Sequence, residues 1–287
     1  MEDLQRRADT LIEALPYIQQ WAGKTIVVKY GGAAMSDPQM QDNVAQDLVL
    51  LRYVGINVVV VHGGGQRITE MMKRLGIEPE FAGGLRVTDA ETMEIAQMVL
   101  VGNVNQQLVS LINAAGGRAV GLSGEDGSMI ISRKKESGES NLGFVGEIVS
   151  IDTEVIYVLT EAGFVPVVSS IGGDAEGQSY NINADTVAGE LACELQAAKL
   201  VTLSDVAGLL ADPDDPTTLI SKLTVSEAKA LIADGNVAEG MIPKLESCIQ
   251  AVAGGVERAH IIDGCTAHAL LMELFTDAGI GTMINPG

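Results

Sequence analysis

The run TIVVKYGG at residues 25–32 ends a strand-forming segment in Lys29 and two glycines, and VVVVHGGG at 58–65 repeats the pattern. Each run reads as a buried strand opening into a glycine loop whose backbone N–H groups are free to face an anion. A charged Lys29 at the end of an apolar strand costs free energy unless it reaches water or a counter-charge, which makes phosphate the candidate partner.

From Lys24 onward such strands alternate with helical patterns. The spacing predicts strands at 25–30, 57–62, 118–122, 165–170, 199–204, 258–263 and 281–284, and helices near 38–54, 66–75, 89–114, 185–197, 225–234 and 243–253. Alternation with few tight hairpin signals implies an α/β fold, a three-layer αβα sandwich whose mostly parallel sheet is covered on both faces. Thr88 with Glu91 and Thr224 with Glu227 predict capping boxes for two of the helices. The polar stretch 131–148 predicts a hairpin or loop between the halves of the sheet. A lobe boundary near Gly172–Gly173 divides the chain into 1–23, 24–173 and 174–287.

Residues 2–20 predict an amphipathic helix with Leu4, Ala8, Leu11, Leu15 and Ile18 along a seam, kinked near its end by Pro16. Because the seam precedes the first strand, it has two readings. It packs against a second copy of the chain, or it lies on its own domain.

The 287 residues suffice for a large core, 47% of them are hydrophobic, and no tract reads as a membrane span. A formal charge of −20 argues against nucleic acid or an anionic membrane surface as partner. An anionic small substrate then needs a local cluster of Lys and Arg. The opening MEDLQRRADTL predicts no secretory signal, and Cys193, Cys248 and Cys265 are too dispersed for a disulfide framework or a metal site. A reducing cytoplasm fits both.

Common explanations of glycine loops fail on the letters. No G-x-x-x-x-G-K-[ST] occurs, the 63–65 glycines lack the third glycine of a dinucleotide fingerprint, and no G-x-S-x-G elbow accompanies HGGG. A second lysine, Lys244 in EGMIPKLES, follows Pro243 in a predicted first helical turn. A cation there opposes the helix dipole by about 0.3–1 kcal/mol unless an anion is held as well. Lys244 is therefore an anion-site lysine or a solvated surface lysine. Asp185 in NINADTVAGELA is a helix cap or, beside two lysines, the group that orients both ammoniums.

At this point the chain resembles the amino-acid kinase family. VKYGG, VHGGG, GLRVTDAETM, NINAD, LSDVAGLL, GMIPK and HALLMELFTDAGIGTMI occur in family order between Lys24 and Ile284. LRVTD and GMIPK favour its acetylglutamate branch over carbamate, aspartate or uridylate kinases. The resemblance implies ATP-dependent phosphorylation of the side-chain carboxylate of N-acetyl-L-glutamate on the route to arginine, with Mg²⁺ held mainly through the ATP phosphates. It also implies roles for individual residues. Lys29 and Lys244 stabilise the transferring phosphoryl group and Asp185 organises them, with the N–H groups of Gly32 and Gly64 on its oxygens. Arg86 pairs with the substrate α-carboxylate, and Gly64, Gly65 and Asn181 complete that site. The loop Ser204–Leu209, with Asp205 and Gly208, holds the nucleotide. His62 and His260 are packed or loop histidines.

Relatives inhibited by arginine carry an N-terminal helix that joins dimers into a hexamer and binds arginine against the C-lobe. By resemblance, Tyr17, His268, Glu273 and Gly279 match that sensor. A complex with a nitrogen-signalling protein has no support in these residues. Gln66, Glu125 and the segment GCTAHALL depart from the family pattern. Two other readings stay open: a related kinase acting on another carboxylate or phosphate, and a non-catalytic arginine-sensing domain like the kinase-like halves of acetylglutamate synthases. The latter usually continue into an acetyltransferase domain, for which this sequence has no residues left.

Overall fold

The computed structural model describes residues 1–35, 37–136, 141–212 and 215–287. Helix α1 (Glu2–Trp21) leads into strand β1 (Thr25–Tyr30), followed by α2 (Pro38–Tyr53), β2 (Asn57–His62) and α3 (Gly65–Arg74). A small hairpin, β3 (Phe81–Ala82) and β4 (Leu85–Arg86), precedes a long helical run of α4 (Ala90–Gln97), a π-helical segment (Met98–Asn105) and α5 (Gln106–Ala114). Then come β5 (Ala119–Ser123), β6 (Ile130–Lys134), β7 (Gly146–Ile151), α6 (Glu154–Glu161), β8 (Val165–Ser169), β9 (Ile171–Gly173), β10 (Ser179–Asn181) and α7 (Ala184–Glu194). The chain closes with β11 (Lys199–Ser204), β12 (Lys222–Thr224), α8 (Val225–Ala233), α9 (Ile242–Ala253), β13 (Arg258–Asp263), α10 (Ala269–Leu274) and β14 (Thr282–Asn285).

Eight strands form the central sheet in the order β12-β14-β13-β11-β1-β2-β8-β5. Its neighbours run parallel except β13 with β14. Val27, Val59, Val61 and Leu200 face the layer of α7, α8 and α9, whereas Ile26, Val28, Val58, Val60 and Val201 face that of α2, α5 and α10. Burial on both faces is why these strands read as unbroken apolar runs. Each wholly buried leucine, such as Leu48 and Leu51 of α2, contributes about 2 kcal/mol.

The polar stretch folds as the hairpin β6–β7 within a second sheet ordered β10-β9-β6-β7; residues 137–140 of it lie outside the described residues. One capping box forms as expected: Thr224 N–H donates to Glu227 Oε2 at 2.8 Å and Glu227 N–H to Thr224 Oγ1 at 3.2 Å. The Thr88 box does not. Asp89 caps α4 by accepting from Thr92 N–H at 2.8 Å, and Thr88 Oγ1 donates to Arg86 O. The sequence pattern also missed α6 and α10, because EVIYVLTE is rich in β-branched residues and ALLMEL is under two turns long.

The stretch Ala90–Ala114 is long and apolar enough, by composition, to cross a membrane, contrary to the sequence reading. Here it is a core helix, with Leu100, Leu108 and Ile112 buried against the rest of the domain. Helix α1 runs through Pro16. Its seam residues Leu4, Leu11 and Leu15 stay 65%, 73% and 44% exposed, so the chain's own core does not cover them. Only the end of α1 docks, where Trp21 Nε1–H donates to Leu274 O at 3.1 Å.

Candidate active site

In a parallel sheet the strand carboxyl ends are the natural place for a ligand. The loops after β1 and β2 meet there with α7 and the β3–β4 hairpin around a cleft of about 300 Å³, lined by Lys29, Gly31, Gly32, Gly63, Gly64, Gly65, Arg86, Asn181 and Asp185. The two-residue side-chain period of a strand sets Lys29 on the α7 side of the sheet, with Val27. Its Nζ lies 2.8 Å from Asp185 Oδ1, both side chains about nine-tenths buried. Asp185 is free for this pairing because it is not the cap: Asn183 Oδ1 accepts from Asp185 N–H at 2.7 Å and starts the helix. The contact is a buried ion pair on the cleft wall.

Gly64 is extended at φ 174°, so its backbone needs no glycine; its surroundings do. A Cβ there would lie 2.7 Å from Leu100 Cδ2. Gly32 has φ 69°, the left-handed region that favours glycine. Arg86 is pre-positioned by Nη2 donating to Gly65 O at 2.7 Å and Thr69 Oγ1 at 2.8 Å, with its guanidinium 4.7 Å from the Phe81 ring centroid. Thr69 and Phe81 carried no signal in the sequence, since nothing local ties them to Arg86.

Lys244 does not share this cleft. It lines an adjoining cavity of about 300 Å³ with Ser204, Asp205, Gly208 and Leu209, and its Nζ donates to Gly240 O at 2.8 Å. Two contacts tie the cavities together. The Cβ direction of Gly32 points to Asp205 N at 3.5 Å, and Ser247 Oγ, one turn beyond Lys244 on α9, donates to Asp185 O at 2.5 Å.

A third cavity, of about 770 Å³, opens between the end of α1 and the α10 region, lined by Tyr17, Trp21, Lys199, His260, Glu273 and Gly279. Glu273 Oε1 pairs with Lys199 Nζ at 2.8 Å and His260 Nε2 at 2.9 Å, and Ile280 N–H donates to Glu273 Oε2. Burial works to raise the Glu273 pKa, but these partners outweigh it and hold the carboxyl below its usual range. Burial also lowers the His260 pKa against the opposing pull of Glu273, whose carboxylate its Nε2 faces. Lys199 and His260 belong to this cavity and were missed as members of it: both lie within strands, where only tertiary contacts reveal a pair with α10.

His268 does not line that cavity; at φ 56° its Nδ1 faces Asp47 Oδ1 at 2.7 Å, which gives the buried α2 carboxylate a partner at the start of α10.

Two buried groups set opposite pH responses. Burial lowers the His62 pKa to about 4, so its contribution is present above 6.5 and is lost as pH falls toward 4, about 3 kcal/mol in all. Burial raises Asp47 to about 6 despite its bond to His268, so Asp47 adds stability as pH falls through 6. An Asp47→Asn variant removes the second effect. Its urea midpoint should therefore fall more steeply than the parent's between pH 6.5 and 4, and parallel midpoints would refute this.

A glycine-lined cleft at strand carboxyl ends, holding a buried lysine–aspartate pair inside an αβα sandwich, defines a phosphoryl-transfer enzyme. The amino acid kinase family model matches residues 24–263, and the chain belongs to that family. It is 57% identical to the acetylglutamate kinase of Thermosynechococcus vestitus over 97% of this chain and 94% of that one. To the acetylglutamate kinase of Symbiobacterium thermophilum it is 54% identical, over 97% of each. Among solved structures it resembles N-acetylglutamate synthase from Neisseria gonorrhoeae complexed with coenzyme A and N-acetyl-glutamate, with a TM-score of 0.86 and 28% identity over 97% of this chain. This chain spans 63% of the synthase's length. The same synthase complexed with coenzyme A and L-arginine gives a TM-score of 0.83 at 27% identity, with 98% of this chain and 65% of that one covered.

Proposed function

We propose that this chain transfers the γ-phosphoryl group of ATP to the side-chain carboxylate of N-acetyl-L-glutamate, a step of arginine biosynthesis. The observation that carries this is the 2.8 Å Lys29–Asp185 pair beside two glycine loops, with Arg86 in the same cleft. A carboxylate oxygen attacks the γ-phosphorus in line as the bond to the ADP oxygen breaks; no proton moves, so positioning and charge neutralisation suffice. Lys29 and the N–H groups of Gly32 and Gly64 face the transferring oxygens. Arg86, Gly64, Gly65 and Asn181 hold the substrate. Ser204, Asp205, Gly208 and Leu209 bind the nucleotide, and Lys244 reaches its phosphates by leaving Gly240 O. Mg²⁺ arrives on those phosphates; among the described residues no group of three or more His, Cys, Asp or Glu side chains could hold a metal.

We assign 24–173 as the substrate lobe and 174–287 as the nucleotide lobe, a reading supported by two adjoining cavities, one for each substrate. The activity belongs in the cytoplasm, where ATP is available. L-Arginine is the inhibitor we assign to the cavity between α1 and α10, where Glu273 offers a carboxylate to a guanidinium. The uncovered seam of α1 supports a hexamer in which these helices join dimers. The buried Lys29–Asp185 pair favours turnover over a purely sensing role.

Supplying MgATP and N-acetyl-L-glutamate and trapping the acyl phosphate with hydroxylamine should give hydroxamate; none would end the assignment. Lys244→Ala should lower kcat about a hundredfold, and an unchanged rate would return Lys244 to the solvated surface. Millimolar-scale arginine should inhibit the native enzyme. Indifference to arginine, with a dimer in solution, would remove the regulatory part.

A further inference from the structure

The glycine loop after β2 rests on a buried polar contact that none of the site residues supplies. Asn105, the last residue of the π-helical segment, is 1% exposed, and His62, which opens the loop, is wholly buried. Asn105 Nδ2 lies 2.8 Å from Val167 O, 3.4 Å from Leu122 O and 3.0 Å from His62 Nε2. Carbonyl oxygens only accept, so the amide nitrogen must face them; one N–H goes to Val167 O, with Leu122 O at the long edge of hydrogen-bond distance beside it, and the other is left for His62. His62 Nε2 is thereby an acceptor and the ring proton sits on Nδ1, which donates to Gly63 O at 3.0 Å. Donor and acceptor roles thus run one way, from Asn105 through the imidazole to the loop.

The surrounding packing agrees. Gly121 lacks a Cβ where Asn105 Oδ1 sits 1.9 Å from the Cβ position, so only glycine admits the amide there. The same π segment carries Leu100 and Val104, which press against Gly64 at 2.7 and 3.3 Å from its Cβ position. π-Helical turns re-aim side chains within a helix and occur frequently at functional sites. Here one such segment meets the loop at His62, through Asn105, and at Gly64, through Leu100 and Val104.

We propose that Asn105 is a positioning residue: by fixing the Nδ1–H tautomer of His62 it holds the Gly63 carbonyl, and so aims the following N–H groups into the cleft for the transferred phosphoryl group. Asn105 touches neither substrate. It acts through His62, whose pKa burial lowers to about 4, keeping the ring neutral and its two nitrogens distinct at pH 7. The proposal rests on the assignment of the Gly64 N–H to the phosphoryl oxygens.

The chain has three histidines, so ¹⁵N-histidine labelling resolves them, with assignment by replacing His260 and His268 in turn. His62 should show a protonated Nδ1 and an unprotonated Nε2 at pH 7; the opposite tautomer, or titration near 6.5, overturns the proposal. This readout needs no turnover, so it stands apart from the hydroxamate assay of the activity itself. Asn105→Leu, which keeps the volume and removes the donor, should lower kcat about tenfold to a hundredfold with the KM for ATP within about threefold, as expected for a misplaced catalytic loop. Where that variant folds poorly, Asn105→Asp serves instead. Its carboxylate accepts and cannot donate to Nε2, so it should draw the His62 proton to Nε2, take the Nδ1–H donor away from Gly63 O and lower kcat likewise. A folded variant with native kcat, or a loss that follows only the unfolded fraction, overturns the proposal.

Discussion

A Lys29→Met variant should turn over about a thousandfold more slowly than the native enzyme while keeping most of its nucleotide affinity. The size follows from where the charge sits. Lys29 ends a central strand, 7% exposed, with Asp185 as its facing counter-charge. In a site this dry an ammonium acts on developing phosphoryl charge with far less screening than in water. Met has nearly the length of Lys and removes the charge alone. Because Asp185, at 11% side-chain exposure, then loses its counter-charge, the variant should also melt at a lower temperature, and its turnover is compared where it remains folded. Single-turnover hydroxamate formation measures the effect, and a loss of less than tenfold would place the phosphoryl group elsewhere.

The second large effect concerns stability. Glu273→Ala should cost about 3–5 kcal/mol, because it strands the Lys199 ammonium in a buried site. Lys199 and Glu273 are each 4% exposed at the side chain, and Lys199 Nζ lies 5.0 Å from the Trp21 ring centroid. Burial lowers the Lys199 pKa, so the stranded group sheds its proton more readily, which limits the penalty without removing it. A calorimetric midpoint lower by about 10 °C is expected. The double variant Lys199→Met, Glu273→Leu should recover most of that loss, since a well-packed apolar pair is often as stable as a buried ion pair. Both variants should lose any response to arginine. Equal midpoints for Glu273→Ala and the native chain would show that the pair contributes nothing.

Much of the site was legible in the sequence because its residues sit in local punctuation. Lys29 closes an apolar strand, the 63–65 glycines interrupt a helix start, and Asp185 and Lys244 fall in first helical turns. The strand positions were equally plain, since burial on both faces imposes uninterrupted Val and Ile runs. Where signals compete at short range, the reading failed. Thr88 and Asp89 both offered a cap and the second took it. Partners far along the chain left no signal at all: Asp47, 221 residues away, faces the His268 ring.

The sequence by itself determined the layered α/β architecture, the glycine loops and the identity of the charged groups at the strand ends, because these depend on side-chain period and backbone freedom within a few residues. Only the tertiary structure decided which polar groups meet: Lys29 with Asp185, Lys199 with Glu273, and Asn105 with His62. A buried polar group must find a partner wherever the packed chain brings one within about 3 Å, and that partner carries no mark in its own local sequence.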